Sequence, residues 1–218
     1  MRVYHFVNQK FGLEDLKEGR LKIATIEDLN DPFEILGFSN RDPELRKAWL
    51  LIKAAINSKM GFLCFSKNWN NPVQWSHYAD GHRGLCLGFD IPKRHLIEVT
   101  YSDKRFEPNL GAFEAGGTQA QLELKRIFST KFTHWHYENE ARCTIPLRLA
   151  TEKGGLYFER FSTIMHLREV IVGHRSSITH KQLSDTLKKR GVDVSLSKAR
   201  LSFNDFKVVR QKNDAPWL

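Results

Sequence analysis

The sequence predicts a single α+β domain spanning residues 1–218, with a mixed, mostly antiparallel sheet at its core and helices at its periphery. The chain of 218 residues is long enough for one large domain with a substantial core. Segments typical of strands outnumber those typical of helices. The helices interrupt the strands irregularly, without the steady strand–helix–strand repeat of a parallel sheet, and this favours α+β.

Helices are predicted where apolar residues recur at helical spacing between start and stop residues. Pro43 suits the first turn of one such segment, whereas Gly19 and Gly191 each end another. Residues 72–79 are predicted to form a short helix or a turn. In chain order, the predicted helices are residues 13–18, 42–58, 72–79, 118–128 and 180–190.

Strands are predicted where β-branched and aromatic residues concentrate, or where apolar and polar residues alternate. In chain order, these are residues 2–7, 21–25, 62–66, 84–90, 95–102, 135–142, 144–149, 167–173, 192–196 and 206–210. The last third of the chain, from about residue 167 to 218, is expected to complete the sheet. A turn is predicted at Asn30-Asp31-Pro32, because Pro restricts the preceding residue and Asn and Asp satisfy turn backbone. Residues 107–117 are predicted to form a loop.

The segment 135–142 carries the densest polar pattern in the chain. As a strand, it would present on one face His134, His136, Glu138, Glu140 and Arg142. Glu138 and Glu140 would project on the same side, about 6.5–7 Å apart. Such a pair suits glycosyl transfer, in which one carboxylate stabilises a sugar cation and the other orients the nucleophile. As a helix, the segment would give only an ordinary salt bridge between Glu138 and Arg142.

Two further polar clusters lie in otherwise apolar surroundings. In Trp75-Ser76-His77-Tyr78, the aromatic rings could stack on a flat ligand and the Ser and His could hydrogen-bond it. The same cluster could instead fill the core and cap a turn. The cluster at residues 30–34 could bind substrate or only cap its turn. Together the three segments predict one active site assembled from separate parts.

The chain is strongly basic, with a formal net charge of +9. Residues 175–218 carry ten Lys and Arg side chains against four Asp, a formal net charge of +6. A basic C-terminal region is typical of proteins that bind a polyanion, and nucleic acid is the expected partner. Simple solubility is the alternative explanation.

The three cysteines are widely spaced, odd in number and without a C-x-x-C motif, which favours free thiols in the cytoplasm. The mean hydropathy of −0.46 is typical of soluble globular proteins. No apolar run approaches a membrane span and the N-terminus lacks a signal peptide's apolar stretch, so no membrane partner is expected.

Three alternatives to metal-free glycosyl transfer remain open. His134-x-His136 could bind a metal, with Glu138 or with His77 and His82 completing the ligand shell, but the spacing matches no recognised metal motif and no metal is expected. A metal-dependent nuclease would use Asp31, Glu34, Glu138, Glu140 and His136. A non-catalytic nucleic-acid-binding module would depend on the basic C-terminal region alone.

The order of motifs resembles a bacterial family of defence-associated domains of unknown function. The motifs are N-D-P-F-E (30–34), C-F-S (64–66), W-S-H-Y-A-D-x-H-R-G-L-C-L-G-F-D (75–90), V-x-Y (99–101) and W-x-Y-E-x-E-x-R (135–142). That family is more distantly similar to ADP-ribosyltransferases, which combine a His or Arg on an early strand, a central Ser/Tyr element and a late Glu. The resemblance implies an ADP-ribosyltransferase-like fold, NAD as substrate, a toxin or anti-phage role, and an antitoxin partner.

The resemblance also implies a role for each candidate residue. His5 would hydrogen-bond the nicotinamide ribose, and Tyr78 would stack on the nicotinamide ring. Glu140 would hold the ribose 2′-hydroxyl and stabilise the cation, while Glu138 would orient the acceptor and Arg142 would contact the pyrophosphate or orient the glutamates. Ser76 and His77 would lie near the cofactor, and substrate recognition is assigned to Asn30, Asp31, Glu34 and His136. The early strand departs from the family pattern, because Phe6 stands where a Thr usually follows the His.

Overall fold

The computed structural model describes residues 1–191, 193–212 and 217. The strands are β1 (Arg2–Val7), β2 (Arg20–Ile23), β3 (Met60–Ser66), β4 (Leu85–Asp90), β5 (Ile97–Glu98), β6 (Thr100–Ser102), β7 (Thr130–Phe132), β8 (Glu140–Pro146), β9 (Thr151–Lys153), β10 (Leu156–Arg160), β11 (His166–Val172), β12 (Ser195–Leu201) and β13 (Val208–Arg210). The α-helices are α1 (Gln9–Glu18), α2 (Pro43–Asn57), α3 (Pro72–Tyr78), α4 (Leu110–Ala115), α5 (Gly117–Ser129) and α6 (His180–Lys188).

Eight of these strands form the main sheet, in the order β13-β12-β11-β4-β1-β3-β8-β5. Its neighbouring strands are antiparallel except for β11 and β12, which α6 joins as a parallel crossover. A smaller antiparallel sheet has the order β2-β10-β9, and β6 pairs with β7 in parallel. The prediction of a mixed, mostly antiparallel α+β domain is therefore confirmed.

The central strand β4 is buried on both faces, which explains its continuous apolar sequence. On one face, Leu87 and Phe89 pack in the largest core cluster, which α1, α6 and β2 help to cover. On the other face, Cys86 packs against Trp75 of α3. A separate cluster around Trp49 fills the space beneath α2. The sheet is thus covered from both sides, and α3 is fixed against it by its buried tryptophan.

The strands β1 and β3 diverge in the middle of the sheet. They form a single residue pair, Tyr4 with Ser66, whereas β1 pairs with β4 along its whole length. Beyond that pair, the imidazole Nδ1 of His5 lies 3.1 Å from the carbonyl oxygen of Cys64. The His5 side chain thus takes the place of backbone hydrogen bonds between β1 and β3. A cavity opens at this point.

Most predicted elements are confirmed, with several corrections. Residues 95–102 contain two short strands, β5 and β6, which pair with different partners. The predicted loop at 107–117 contains α4, which Asn109 caps through its side chain. The predicted strand at 144–149 ends at Pro146, and Leu147–Leu149 form a 3₁₀ helix. The strand β7 and the hairpin of β9 and β10 were not predicted. A further correction, at 135–142, concerns the candidate site. The predicted strand at 192–196 begins at Val192, which lies outside the described residues.

Candidate functional site

A cavity of about 420 Å³ lies where β1 and β3 diverge. Its floor is formed by residues of both strands, and its walls by the segment after β2, by α3 and by the chain on either side of residue 135. The residues that line it are Tyr4, His5, Phe6, Lys22, Ala24, Asp28, Leu29, Asn30, Glu34, Phe62, Cys64, Phe65, Ser66, Gln74, Tyr78, Lys131, Glu138 and Glu140. The volume is in the range of about 300–1,000 Å³ that is typical of small-molecule sites.

The prediction that residues 135–142 form one strand is wrong for the first half of the segment. Residues Thr133–Glu138 form a 3₁₀ helix, Asn139 adopts the left-handed conformation with φ of 45°, and β8 begins only at Glu140. His134 and His136 are consequently exposed outside the cavity rather than aligned with the glutamates. His136 Nδ1 lies 3.0 Å from the carbonyl of Thr133 in its own turn. The structure therefore does not support a substrate contact for His136 inside the cavity.

Five charged side chains form a buried cluster at one end of the cavity. They are Glu34, Lys131, Glu138, Glu140 and Arg142, and none exposes more than 6% of its surface. Lys131 Nζ donates to Glu138 Oε2 at 2.6 Å and to Glu140 Oε2 at 3.1 Å, and it lies 3.7 Å from Glu34 Oε2. With every side chain ionised, the cluster has three anions and two cations.

Arg142 anchors the side of this cluster that faces the sheet. Its guanidinium donates to both carboxylate oxygens of Glu140, from Nε at 2.6 Å and from Nη2 at 2.8 Å, and from Nη1 to Glu34. Nη1 also donates to the carbonyl of Phe128 at 3.2 Å. Because Arg142 and Glu140 are two residues apart on β8, they share a face of the strand, as predicted. Arg142 does not line the cavity, so its contacts favour orienting the glutamates over binding a ligand.

The two glutamates of the Glu-x-Glu pair have opposite pKa shifts. Burial acts to raise the pKa of Glu140, but the charge and hydrogen bonds of Arg142, followed by the charge of Lys131, outweigh it and lower the pKa to about 2. Burial raises the pKa of Glu138 and outweighs the opposing charge of Lys131. Glu140 is thus held as a carboxylate, whereas Glu138 takes up a proton more readily than an exposed glutamate.

Tyr78 connects Glu138 to the opposite wall of the cavity. Its hydroxyl donates to Glu138 Oε1 and accepts a hydrogen bond of 2.8 Å from Asn30 Nδ2. Burial, followed by the charge of Glu138, raises the pKa of Tyr78 and keeps the phenol protonated. Asn30, Tyr78 and Glu138, which come from three separate segments of the sequence, are therefore joined in one chain of hydrogen bonds.

The floor of the cavity contributes His5 and Ser66. Burial lowers the pKa of His5 despite its hydrogen bond to Cys64, so the imidazole is neutral at pH 7. The hydroxyl of Ser66 accepts hydrogen bonds of 3.0 Å from the Asn68 amide and from Gln74 Nε2, which leaves its own proton available for a ligand.

Besides His136 and Arg142, three predicted site residues lie away from the cavity lining. On α3, Ser76 Oγ is 3.4 Å from His82 Nε2 and His77 Nδ1 is 3.0 Å from the hydroxyl of Tyr137, and both side chains are exposed. Asp31 is buried, and its Oδ1 accepts from the amide of Phe33 at 2.9 Å, which is the turn-capping role considered as an alternative. The helical geometry of α3 directs Tyr78 and Gln74 toward the cavity and turns Ser76 and His77 outward.

Lys131, Ser66 and Gln74 belong to the site but were not predicted as site residues. Lys131 is an isolated lysine on the short strand β7, and only the fold reveals that it contacts both glutamates. Gln74 donates to the carbonyl of Glu138 at 2.6 Å and so holds the end of the 3₁₀ helix. Ser66 lies in the C-F-S motif, which was the one available signal for it.

The arrangement combines a carboxyl group of raised pKa, a fixed carboxylate, neutral hydrogen-bonding groups and aromatic walls. Within the described residues, no group of three His, Cys, Asp or Glu side chains is arranged to hold a metal ion. In the same part of the chain, no helix is long and apolar enough to cross a bilayer. Comparisons of the chain with protein-family models, curated proteins and solved structures found no match.

Proposed function

We propose that this protein is an ADP-ribosyltransferase-like enzyme that binds NAD in the cavity, cleaves its N-glycosidic bond and transfers ADP-ribose to an acceptor. One observation carries the proposal: His5, Tyr78 and the Glu138-x-Glu140 pair, which are far apart in the sequence, line the same cavity. An early His, a central Tyr and a late Glu are the elements that the resemblance to ADP-ribosyltransferases implies. Burial of ionisable groups in a cleft is also typical of functional sites.

The cavity is suited to the nicotinamide ribose half of NAD. The neutral imidazole of His5 can hydrogen-bond a ribose hydroxyl, and the Ser66 hydroxyl can donate to a carboxamide or hydroxyl oxygen. The aromatic walls, which include Tyr78, offer faces on which the flat nicotinamide ring can stack. The hydrogen bond from Asn30 fixes the Tyr78 phenol, so this surface is already formed in the protein.

Bond cleavage places positive charge on the ribose, since nicotinamide leaves with the electron pair of the glycosidic bond. The excess of carboxylates over cations in the buried cluster stabilises this charge in surroundings of low dielectric. We assign stabilisation of the cation to Glu138. Glu140 accepts three hydrogen bonds, two of them from the Arg142 guanidinium, whereas Glu138 accepts one from Tyr78 and one from Lys131 and has no arginine bound to it. As a carboxylate, Glu138 would stabilise the cation and then accept the proton of the attacking acceptor. Glu140, Lys131 and Arg142 would act as positioning residues.

The biological setting is also part of the proposal. The acceptor is expected to be nucleic acid, because the chain is strongly basic. The resemblance to defence-associated domains supports a toxin or anti-phage role, with an antitoxin as a possible partner protein. The three cysteines are free thiols, which supports action in the cytoplasm.

The test is release of nicotinamide from NAD by the purified protein, measured with and without EDTA and with and without single-stranded nucleic acid. We expect release that resists EDTA and that is lost in Glu138→Gln. The matched control is Glu123→Gln, which changes another buried glutamate at a site on α5 outside the cavity. It should leave the rate unchanged.

Two outcomes would contradict the proposal. If the wild-type protein released no nicotinamide with any acceptor but degraded nucleic acid only when a divalent metal was present, the protein would be a metal-dependent nuclease. If Glu138→Gln retained full activity, the assignment of Glu138 would be wrong. Thermal melts of each variant distinguish loss of chemistry from loss of fold.

A further inference from the structure

Two phenylalanines are fully exposed at the tip of the hairpin formed by β12 and β13. Phe203 exposes 90% of its surface and Phe206 exposes 100%, and Leu201 beside them is half exposed. Single exposed apolar residues are common on protein surfaces, but two bare aromatic rings within four residues are not explained by the fold. Neither ring contributes to the core, so the pair is available for an interaction.

The hairpin tip, residues 201–207, is an ordered turn. The Ser202 amide donates to the carbonyl of Lys207 at 2.9 Å, and the Lys207 amide donates to the carbonyl of Asp205 at 2.8 Å. The Ser202 hydroxyl also accepts from the amides of Asn204 and Asp205 at 3.2 and 3.3 Å. These hydrogen bonds fix the backbone conformation of the turn, in which both aromatic side chains are exposed to solvent.

The surroundings of the two rings are basic. Residues 198–212 contain five Lys and Arg side chains and one Asp, a formal net charge of +4. The guanidinium of Arg200 lies over the ring of Phe203, 4.6 Å from its centroid, and Lys207 follows Phe206 directly. Phe203 therefore has a cation over one face of its ring, Phe206 is followed by a lysine in the sequence, and both rings remain accessible.

We infer that the hairpin tip is a binding site for single-stranded nucleic acid, with Phe203 and Phe206 stacking on bases and Arg200 and Lys207 contacting phosphates. A nucleotide presents a flat base beside an anionic phosphate, and the tip offers two exposed rings in a basic segment, one of them with a guanidinium over it. Insertion into a bilayer fits less well, because Asp205 lies between Phe203 and Phe206 in the sequence and its carboxylate would enter apolar surroundings with them. Bound to a single strand, Asp205 stays in water.

The position of the hairpin connects this site to the cavity. The amide of Val208 donates to the carbonyl of Asn70 at 2.8 Å, and the Arg210 guanidinium lies over the ring of Trp69. Residues 69 and 70 lead directly into α3, the seven-residue helix that carries Tyr78 to the cavity. The strand β13, which directly follows the tip, thus contacts the segment that leads into a helix about 10 Å long, whose far end reaches the site. That a nucleic-acid strand bound at the tip is the acceptor rests on the proposed function, whereas its binding does not.

The test measures the affinity of the full chain for fluorescein-labelled oligo(dT) and oligo(U) of fifteen nucleotides by anisotropy, at low and at moderate salt. The double variant Phe203→Ser/Phe206→Ser should weaken binding by about 100-fold, since each stacked base contributes about tenfold or more. Arg200→Ala should weaken binding and reduce the dependence of log Kd on log salt by about one. The control Leu50→Ser/Leu51→Ser removes two exposed side chains from α2 and should bind as the wild type does.

Several results would overturn the inference. The first is that the wild type binds neither oligonucleotide at low salt. The second is that the double variant and the wild type bind with equal affinity. The third is that the protein binds phosphatidylserine vesicles instead of oligonucleotides and that this vesicle binding depends on the two rings. Nicotinamide release separates this inference from the proposed function. The double variant should release nicotinamide into water at the wild-type rate, and a wild type that binds oligonucleotide but never cleaves NAD would refute the proposed function alone.

Discussion

Replacing each glutamate of the Glu138-x-Glu140 pair by glutamine should separate a structural carboxylate from a reactive one. Both oxygens of Glu140 accept hydrogen bonds from Arg142, and one also accepts from Lys131. Whichever way a glutamine amide turned at this position, its NH₂ group would face a donor N–H of Arg142. At position 138, a glutamine can keep its oxygen toward Lys131 and donate its NH₂ group to the hydroxyl oxygen of Tyr78.

The stability that Glu140→Gln should lose follows from the pKa of Glu140, which is lowered from 4.5 to about 2. Each pKa unit corresponds to about 1.4 kcal/mol, so folding favours the ionised over the neutral side chain by about 3 kcal/mol at pH 7. Glutamine resembles the neutral acid, and Glu140→Gln should therefore reduce the free energy of unfolding by about 3 kcal/mol. Because the pKa of Glu138 is raised, Glu138→Gln should change the free energy of unfolding by less than about 1 kcal/mol.

Urea unfolding at pH 7, followed by tryptophan fluorescence and far-UV circular dichroism, measures both differences. Glu138→Gln serves as the matched control, since it makes the same substitution two residues away in the same cluster. We expect full loss of nicotinamide release in this control together with nearly wild-type stability. In Glu140→Gln, the loss of stability should accompany any loss of activity.

Equal unfolding free energies for the two variants would refute the assignment of different roles. So would a Glu138→Gln variant that is the less stable of the two, since burial would then not be the main influence on Glu138. A Glu140→Gln variant within about 1 kcal/mol of the wild type would show that the Arg142 contacts do not hold the carboxylate as described.

Four further outcomes are expected. The stability difference between the wild type and Glu140→Gln should be complete above pH 4.5 and should disappear in urea titrations as the pH falls toward 2, because the lowered pKa stabilises only the carboxylate. Tyr78→Phe removes a hydrogen bond that lowers the pKa of Glu138, and the acid limb of the pH profile of nicotinamide release should move to higher pH. Lys131→Met leaves buried carboxylates without their cation, and urea unfolding should register a loss of about 3–5 kcal/mol. Burial raises the pKa of Asp15 to about 7. The protonated side chain therefore favours folding at low pH, and this contribution to stability is lost as the pH rises through 7. Asp15→Asn should accordingly raise the melting temperature at pH 8 and not at pH 4.

Local sequence signals were sufficient for the α-helices other than α4 and for the central strands. Gly19 ends α1 in the left-handed conformation, and Asp42 caps α2 ahead of Pro43, as their residue types indicate. The helix α4 was missed because its six residues offer too little periodicity to detect. The small sheet of β2, β10 and β9 depends on pairing between residues 20–23 and 156–160, which local patterns do not report.

The candidate site was predictable only in part. Tyr78 and the two glutamates stand out because polar residues in apolar surroundings are conspicuous in a sequence. Lys131 is one of many lysines in a basic chain, and its importance arises from the 3₁₀ helix after β7, which brings the glutamates seven and nine residues later within hydrogen-bonding distance of its ammonium group. His136 was misplaced because a strand was assumed where the chain forms a 3₁₀ helix.

Asn139 explains why two glutamates only two residues apart behave differently. In a continuous strand, Glu138 and Glu140 would share one face and one environment, and their mutual repulsion would be divided between them. The left-handed conformation at Asn139, which asparagine tolerates better than most residues, ends the 3₁₀ helix and begins β8. Glu140 therefore belongs to the sheet and lies beside Arg142, whereas Glu138 belongs to the preceding turn and reaches Tyr78 across the cavity. One residue of unusual backbone conformation thus gives two neighbouring glutamates different properties, a fixed anion at Glu140 and a group of raised pKa at Glu138, and the proposed function assigns them different roles for this reason.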